Sequence, residues 1–287
     1  MTLSGFWRSA LDPERVMQVG VVRWQDGVRQ PREEQLTVEE PFEIRIGEQS
    51  LAVIMRTPGN DRELALGFLF SEGLIQSAED VLRIEDALDA DGLPLPNVLK
   101  VILRNQQQQQ ALQTHQATFE RHFAVSASCG LCGKNSIADL LYTTPALEPD
   151  TFRVREAVFY DLAAQLRARQ TVFSHTGGLH AAGIFTQIGE LQLLREDVGR
   201  HNAVDKLVGH ALLHGLYPYR ERILMVSGRT SFEIIQKALL ARIPCIVAIS
   251  APSSLAVELA EKSGITLIGF LRDRSMNVYT HPERIVP

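Results

Sequence analysis

Residues 223–271 read ILMVSGRTSFEIIQKALLARIPCIVAISAPSSLAVELAEKSGITLIGFL. Three apolar runs stand out: Ile223–Val226, Ile246–Ile249 and Ile265–Leu271. Two helical patterns separate them, Ser231–Ala241 and Ser254–Ser263, each opened by a serine suited to a cap. Near-continuous apolar strands that alternate with helices are buried on both faces and run parallel through βαβ units. The expected fold class is therefore α/β.

Outward from this stretch the pattern continues. Met276–Thr280 adds an edge strand. Upstream, Asn202–His214 reads as a helix closed by Gly215, Leu179–Thr186 and Glu190–Arg195 as paired strands, and Arg155–Arg169 as a helix. Pro145–Asp150 is a breaker, and Ser136–Tyr142 a short helix. The N-terminal part reads as a smaller α+β domain. Val19–Trp24 and Val28-Arg29 form a hairpin around Asp26-Gly27, and Phe42–Ile46 and Leu51–Met55 form another. Asp61 is the expected N-cap of a helix over Arg62–Glu72 that Gly73 ends, and Asn97–Leu103 is a strand. Gln106–Gln110 reads as a solvated insertion near the boundary. The division expected is a loose lead over residues 1–18, an N-terminal domain over 19–122 and a sheet domain over 123–287.

The chain has 287 residues, 45% of them hydrophobic and 22% charged, with a net charge of −5. That is an ordinary globular composition. No global positive field draws it to nucleic acid or anionic lipid, and no apolar run approaches a membrane span. Three cysteines are too few for a disulfide scaffold, and no signal pattern opens the chain, so a cytoplasmic protein with reduced thiols is expected.

Polar residues collect where the predicted strands end. Ser227-Gly-Arg229-Thr-Ser231 and Ser250-Ala-Pro252-Ser-Ser254 each precede a helix, Arg272-Asp273-Arg274-Ser275 follows the third run, and Glu196-Asp-Val-Gly-Arg200-His-Asn202 opens another helix. Ligands of open α/β sheets bind outside the carboxyl ends of the strands. Helix N-termini and arginines there suit phosphates. Arg200, Arg229, Arg272 and Arg274 thus suggest one rim for a phosphorylated ligand, plausibly a nucleotide. A Ser or Asp before a helix is also an ordinary cap, and no complete Walker or dinucleotide fingerprint is present. His175-Thr-Gly-Gly-Leu-His180 is a further cluster whose histidines are candidates for a direct role beside simple strand capping.

Two of the three cysteines lie in Ser126-Ala-Ser-Cys129-Gly-Leu-Cys132-Gly-Lys134, each followed by glycine. The third, in Ile243-Pro-Cys245-Ile-Val-Ala, reads as a core residue. Three chemistries fit the pair. It is half of a zinc site, with neither a second Cys-x-x-Cys nor a histidine pair taken to complete it, so no metal is expected. It is a dithiol redox pair, although the glycines disfavour the usual helix N-terminus. Or it is a sulfur carrier, a thiolate on a flexible arm favoured by Lys134. Spacing leaves the last two open.

A resemblance orders them. Glu40-Pro-Phe-Glu-Ile-Arg, Arg56-Thr-Pro-Gly-Asn, Ser128-Cys-Gly-Leu-Cys-Gly, Thr176-Gly-Gly-Leu-His-Ala-Ala, the stretch from Glu196 to Lys206, Ser227-Gly-Arg-Thr-Ser-Phe-Glu and Gly269-Phe through Tyr279-Thr-His-Pro-Glu-Arg together resemble the FdhD family of sulfur carrier proteins. The resemblance implies a cytidine-deaminase-like three-layer sheet domain without deaminase zinc chemistry. It implies sulfur passing from a cysteine desulfurase, through a cysteine persulfide, to the molybdenum bis(molybdopterin guanine dinucleotide) cofactor needed by formate dehydrogenase. Cys129 matches the family's persulfide carrier, and the task of Cys132 stays open. The cofactor-binding segment matches Phe270, Leu271, Arg272, Asp273, Arg274 and Ser275, with GDP as a surrogate ligand and a homodimer suggested. Arg200 and Arg229 are added from the rim argument alone. The alternative is a cofactor-binding chaperone for formate dehydrogenase with no obligatory cysteine chemistry.

Overall fold

Alternating burial and turn chemistry divide the chain into three small sheets, one large sheet and the helices between them. The structure, a computed structural model, describes residues 6–8, 14–107, 109–110 and 144–287. The chain begins with β1 (Phe6–Arg8), β2 (Val16–Gln25), β3 (Val28–Thr37), β4 (Glu40–Ile46), β5 (Gln49–Arg56), α1 (Asp61–Ser71), β6 (Val81–Leu88) and β7 (Pro94–Leu103). It continues with β8 (Val154–Arg155), α2 (Glu156–Arg169), α3 (Thr171–Thr176), β9 (His180–Thr186), β10 (Leu191–Asp197) and α4 (Arg200–Leu213). It ends with β11 (Arg222–Val226), α5 (Phe232–Leu240), β12 (Cys245–Ala248), α6 (Ser254–Ser263), β13 (Thr266–Arg272), β14 (Ser275–Thr280) and β15 (Ile285–Val286).

The large sheet has the order β10-β9-β11-β12-β13-β14. Its centre, β11, β12 and β13, is parallel, as the apolar runs of residues 223–271 require. The flanking strands β9, β10 and β14 are antiparallel. Side chains alternate across it. Leu224, Val226, Ile246, Ala248 and Leu267 face the helices α4, α5 and α6. Ile223, Met225, Cys245, Val247, Ile268 and Leu271 face the other way, against Phe159, Leu162 and Leu166 of α2. The fold is thus mixed α/β, as expected.

The smaller sheet, β5-β4-β7-β6, joins the same core. Phe42, Ile44 and Ile46 of β4 and Leu99 and Val101 of β7 cluster with α1 and with α4. The α1–α4 crossing is unusually close. A Cβ on Gly67 would sit 1.9 Å from the backbone oxygen of Asp205, and one on Gly209 only 1.8 Å from that of Glu63. Both glycines are therefore required by close approach of backbones rather than by a turn.

Several expectations are corrected. The lead over 1–18 contains β1, which pairs Phe6 with Val19, and the start of β2, where buried Val16 packs with Val172 and Leu179. The cap of α1 is Asn60 in a left-handed conformation, not Asp61, whose carboxylate is engaged by Arg56 at 2.9 Å. α4 begins at Arg200, two residues earlier than expected, because Asp197 turns the chain there. β6 and α3 carry no strong periodic signal and went unassigned. The hairpin around Asp26 (φ 50) and Gly27 (φ 78) is present, with ten-residue strands. The expected helix Ser136–Tyr142 lies outside the described residues.

Candidate functional site

The chain turns at the carboxyl ends of β10, β11, β12 and β13 meet at one edge of the large sheet. Backbone hydrogen bonds stitch three of them in a row. Thr230 N–H donates to Ala251 O at 3.3 Å, Ser253 N–H to Thr230 O at 3.0 Å and Phe270 N–H to Ser250 O at 3.3 Å. The fourth joins through β9, whose first residue, His180, pairs with Asp197 of β10. Gly228 lies against His180: a Cβ on Gly228 would stand 3.1 Å from the ring nitrogen Nδ1 and 3.6 Å from the Arg200 side chain. The rim read from the strand ends is therefore a single surface.

Its electrostatics are positive on the α4–α5 side. Burial, then the charges of Arg200 and Arg229, push His180 below its ordinary range, against a smaller opposing pull from Asp197. The N-termini of α4 and α5 open here, and neither has a side-chain cap. Among the described residues the buried Thr230 hydroxyl and Arg200 Nε have no hydrogen-bond partner. Two arginines, two uncapped helix starts and two unsatisfied buried polar atoms make this edge suited to an anion.

The C-terminal candidates divide. Arg272 pairs with Ser275 across a two-residue turn of Asp273 (φ 50) and Arg274. Phe270 (φ 53) sits in the bulge between Gly269 and Arg272 and is exposed. Leu271 does not face the rim: its side chain is buried in the core beneath α2 and fixes the hairpin there. The guanidinium of Arg274 stacks on Tyr160 of α2, 5.5 Å from the ring centre, on the sheet face opposite α4. Arg200 and Arg229 thus converge, whereas Arg274 reaches round the far side of the edge. Cys129 and Cys132 lie outside the described residues. Cys245 is buried, and burial pushes its thiol up to about 12, so it is chemically inert at neutral pH. His175 is also set apart: its Nδ1 meets Thr171 O at 2.7 Å within α3.

Glu196–Asn202 is expected to form one of the four rim turns, with Arg200 as its ligand contact; the residues around Arg200 are largely structural. Asp197 is fully buried. Its Oδ2 lies 2.7 Å from Lys206 Nζ, and its Oδ1 accepts from Gly199 N–H at 2.9 Å and from the Asn202 amide at 2.8 Å. Lys206 Nζ also donates to Thr57 O at 3.0 Å, Thr57 N–H to Asp197 at 3.3 Å, and the Asn202 amide to Met55 O at 2.9 Å. The Arg56-Thr-Pro-Gly-Asn stretch is thereby tied to the start of α4. Glu196 accepts from the N–H groups of Val172 and Phe173 and so opens α3. Arg56, itself buried, binds Glu40, Asp61 and Asn97. The partners that tie these groups to the rest of the fold, Met55 and Thr57 for the start of α4 and Val172 and Phe173 for Glu196, lie far away in sequence, which is why spacing does not reveal them.

His201 occupies the floor of the rim. Its Nε2 lies 3.1 Å from Ser231 Oγ and 3.2 Å from Glu233 Oε2. Burial, then the charges of Arg200, Lys237 and His180, lower it from its ordinary 6.5 to about 3. The unfolded chain takes up a proton near pH 6.5 that the folded ring refuses until about pH 3. Stability is therefore whole above pH 6.5 and is lost as pH falls toward 3, at up to about 1.4 kcal/mol per pH unit. His201→Gln is expected to flatten this slope. Urea midpoints at about pH 7 and about pH 4.5 measure it, and equal slopes in the two proteins would refute the assignment.

Comparison with known proteins completes the description. Residues 37–286 match the FdhD/NarQ family. The chain is 48% identical over 270 residues to the sulfur carrier protein FdhD of Streptomyces coelicolor, covering 92% of this chain and 94% of that one. It is 45% identical over 271 residues to the protein of the same name from Sulfolobus acidocaldarius, covering 94% and 99%. A crystal structure assigned as a formate dehydrogenase accessory protein from Desulfotalea psychrophila superposes with a TM-score of 0.73 at 25% identity, over 95% of this chain and all of that one.

Proposed function

Because the chain belongs to the FdhD/NarQ family, we propose that it is a sulfur carrier that serves formate dehydrogenase through a persulfide on Cys129. The observation that carries the reading is the rim. Arg200, Arg229, His180 and the N-termini of α4 and α5 converge where a phosphorylated acceptor would lie.

In this reading the substrate is the molybdenum cofactor in its bis(molybdopterin guanine dinucleotide) form. One of its two diphosphates is held by Arg200 and Arg229, and GDP is the simplest surrogate. Phe270, Arg272, Asp273, Arg274 and Ser275 form the outer lip, with Leu271 anchoring the hairpin from inside. The Cys129 thiolate attacks the outer sulfur of a persulfide on a cysteine desulfurase. The S–S bond of the donor breaks, the donor cysteine leaves as thiolate, and Cys129 keeps the sulfur. The S–S bond on Cys129 then breaks: Cys129 leaves as thiolate, the terminal sulfur goes to the cofactor, and reduced molybdenum supplies the two electrons that bring it to the sulfide level. The task of Cys132, sharing, resolving or assisting, stays open in this reading. A cytidine-deaminase-like description of the sheet domain, a cytoplasmic location and a homodimer belong to the same reading, and no helix of the described chain is long and apolar enough to cross a membrane.

Incubation with a cysteine desulfurase and cysteine is expected to add one sulfur to the peptide holding Cys129, detected by mass. Cys129→Ala is expected to abolish both that gain and the activation of formate dehydrogenase. Full activation by a chain lacking both loop cysteines would replace this reading with that of a cofactor chaperone.

A further inference from the structure

A second group of chemically capable side chains lies at the opposite end of α4 from the rim. His210 lies on its last turn and His214, four residues on, is its C-terminal capping residue, with ring centres 4.2 Å apart. Ten residues of α4 separate His210 from Arg200, about 15 Å at the helical rise. Glu63 comes to the same place from the first turn of α1, because Gly209 lets the Glu63 backbone approach α4 directly. One ligand atom from each of Glu63, His210 and His214 lies within 4.8 Å of the other two. Zinc bonds of about 2.0–2.1 Å place neighbouring ligands roughly 3.3 Å apart, so side-chain torsions close the remaining gap.

We propose that Glu63, His210 and His214 form a binding site for a borderline divalent cation of the Zn²⁺ class, which clips α1 to the C-terminal turn of α4. The residue types are suited to it: two imidazoles at the spacing that presents both on one helix face, and one carboxylate. The carboxylate is oriented in advance. Arg195 holds it through Nε to Oε2 at 2.5 Å and Nη2 to Oε1 at 2.7 Å. Burial opposes the charge on Glu63, but hydrogen bonds from Arg195 and His210 outweigh it and keep the acid ionised. Arg195 is then the outer partner that fixes a ligating carboxylate. His210 Nδ1 is 2.9 Å from Glu63 Oε1. The cation sits between these two atoms, with the neutral ring carrying its one proton on Nε2; Arg195 Nη2, 3.2 Å from the same Nδ1, then keeps only its bonds to Glu63. The carbonyl end of α4 adds a favourable negative dipole. His214 is exposed, which leaves the remaining coordination position to water.

The competing explanation is a purely structural ion pair of Arg195, Glu63 and His210. The experiment uses the full chain carrying Cys129→Ala and Cys132→Ala, so that thiols cannot bind the metal, after treatment with a chelator. Equilibrium dialysis with Zn²⁺ is expected to leave one ion per chain. Co²⁺ is expected to give the visible bands of a four-coordinate nitrogen and oxygen site. His214→Ala, a change at an exposed position, is expected to weaken Zn²⁺ binding at least about tenfold with unchanged far-ultraviolet circular dichroism. His210→Ala with His214→Ala is expected to abolish it. Absence of bound Zn²⁺ in the parent, or equal affinity in the His214→Ala chain, would overturn the site and leave the ion pair. The result is independent of the sulfur-carrier reading, since both loop cysteines are absent.

Discussion

Lys206→Ala is expected to lower the folding stability by about 3–5 kcal/mol, because it leaves the Asp197 carboxylate buried without its cation. Both side chains are essentially inaccessible to water, so neither can be rescued by solvent. The measurement is the urea midpoint at neutral pH, with the slope of the transition checked for constancy. A loss under about 1 kcal/mol would show that the pair is not structural. Removing both partners is not expected to restore the wild-type value, although that is the usual outcome for an isolated buried pair. Asp197 also accepts hydrogen bonds from Thr57, Gly199 and Asn202, and Lys206 donates to Thr57 O. A double alanine variant strands those groups as well.

Gly209→Ala is expected to be similarly damaging, on the order of 3 kcal/mol or more, for a different reason. The added methyl would meet the backbone oxygen of Glu63 at 1.8 Å, and backbone cannot swing away as a side-chain tip does. Gly67→Ala meets Asp205 in the same way, from the opposite helix. On intrinsic helix propensity alone both substitutions would stabilise by roughly 1 kcal/mol, so the predicted sign is opposite to that of an exposed helical glycine. Thermal unfolding decides it. A raised transition temperature in either variant would mean that the helices separate at little cost.

How much of this was legible beforehand depends on the range of the interaction. The parallel strands β11, β12 and β13 were legible because burial on both faces writes an apolar run, and because serines and glycines bound the intervening helices. The β2–β3 hairpin was legible from Asp26-Gly27, a local signal. β6 was not: Val81–Leu88 is an edge strand of mixed exposure, and its pattern is too weak to separate from loop. At the rim, the four strand ends were found from sequence, but the roles within them were not. Asp197 and Lys206 acquire their meaning from Thr57, about 140 residues upstream. Leu271 was included with its neighbours in a contiguous segment, whereas the bulge at Phe270 (φ 53) breaks the alternation and turns Leu271 into the core beneath α2. The His-x₃-His spacing of His210 and His214 was present in the sequence. No histidine spacing was credited with supporting a metal there, and the third member, Glu63, is brought to the pair only by the α1–α4 crossing.

The buried position of Cys245 has a practical consequence. A thiol held at about 12 and sealed between β12 and α2 neither reacts with alkylating reagents nor exchanges with disulfides while the chain is folded. Any label, adduct or oxidation product found on the native protein therefore belongs to Cys129 or Cys132. Cys245 thus enters a thiol titration only after denaturation, and any thiol counted in the native chain is Cys129 or Cys132.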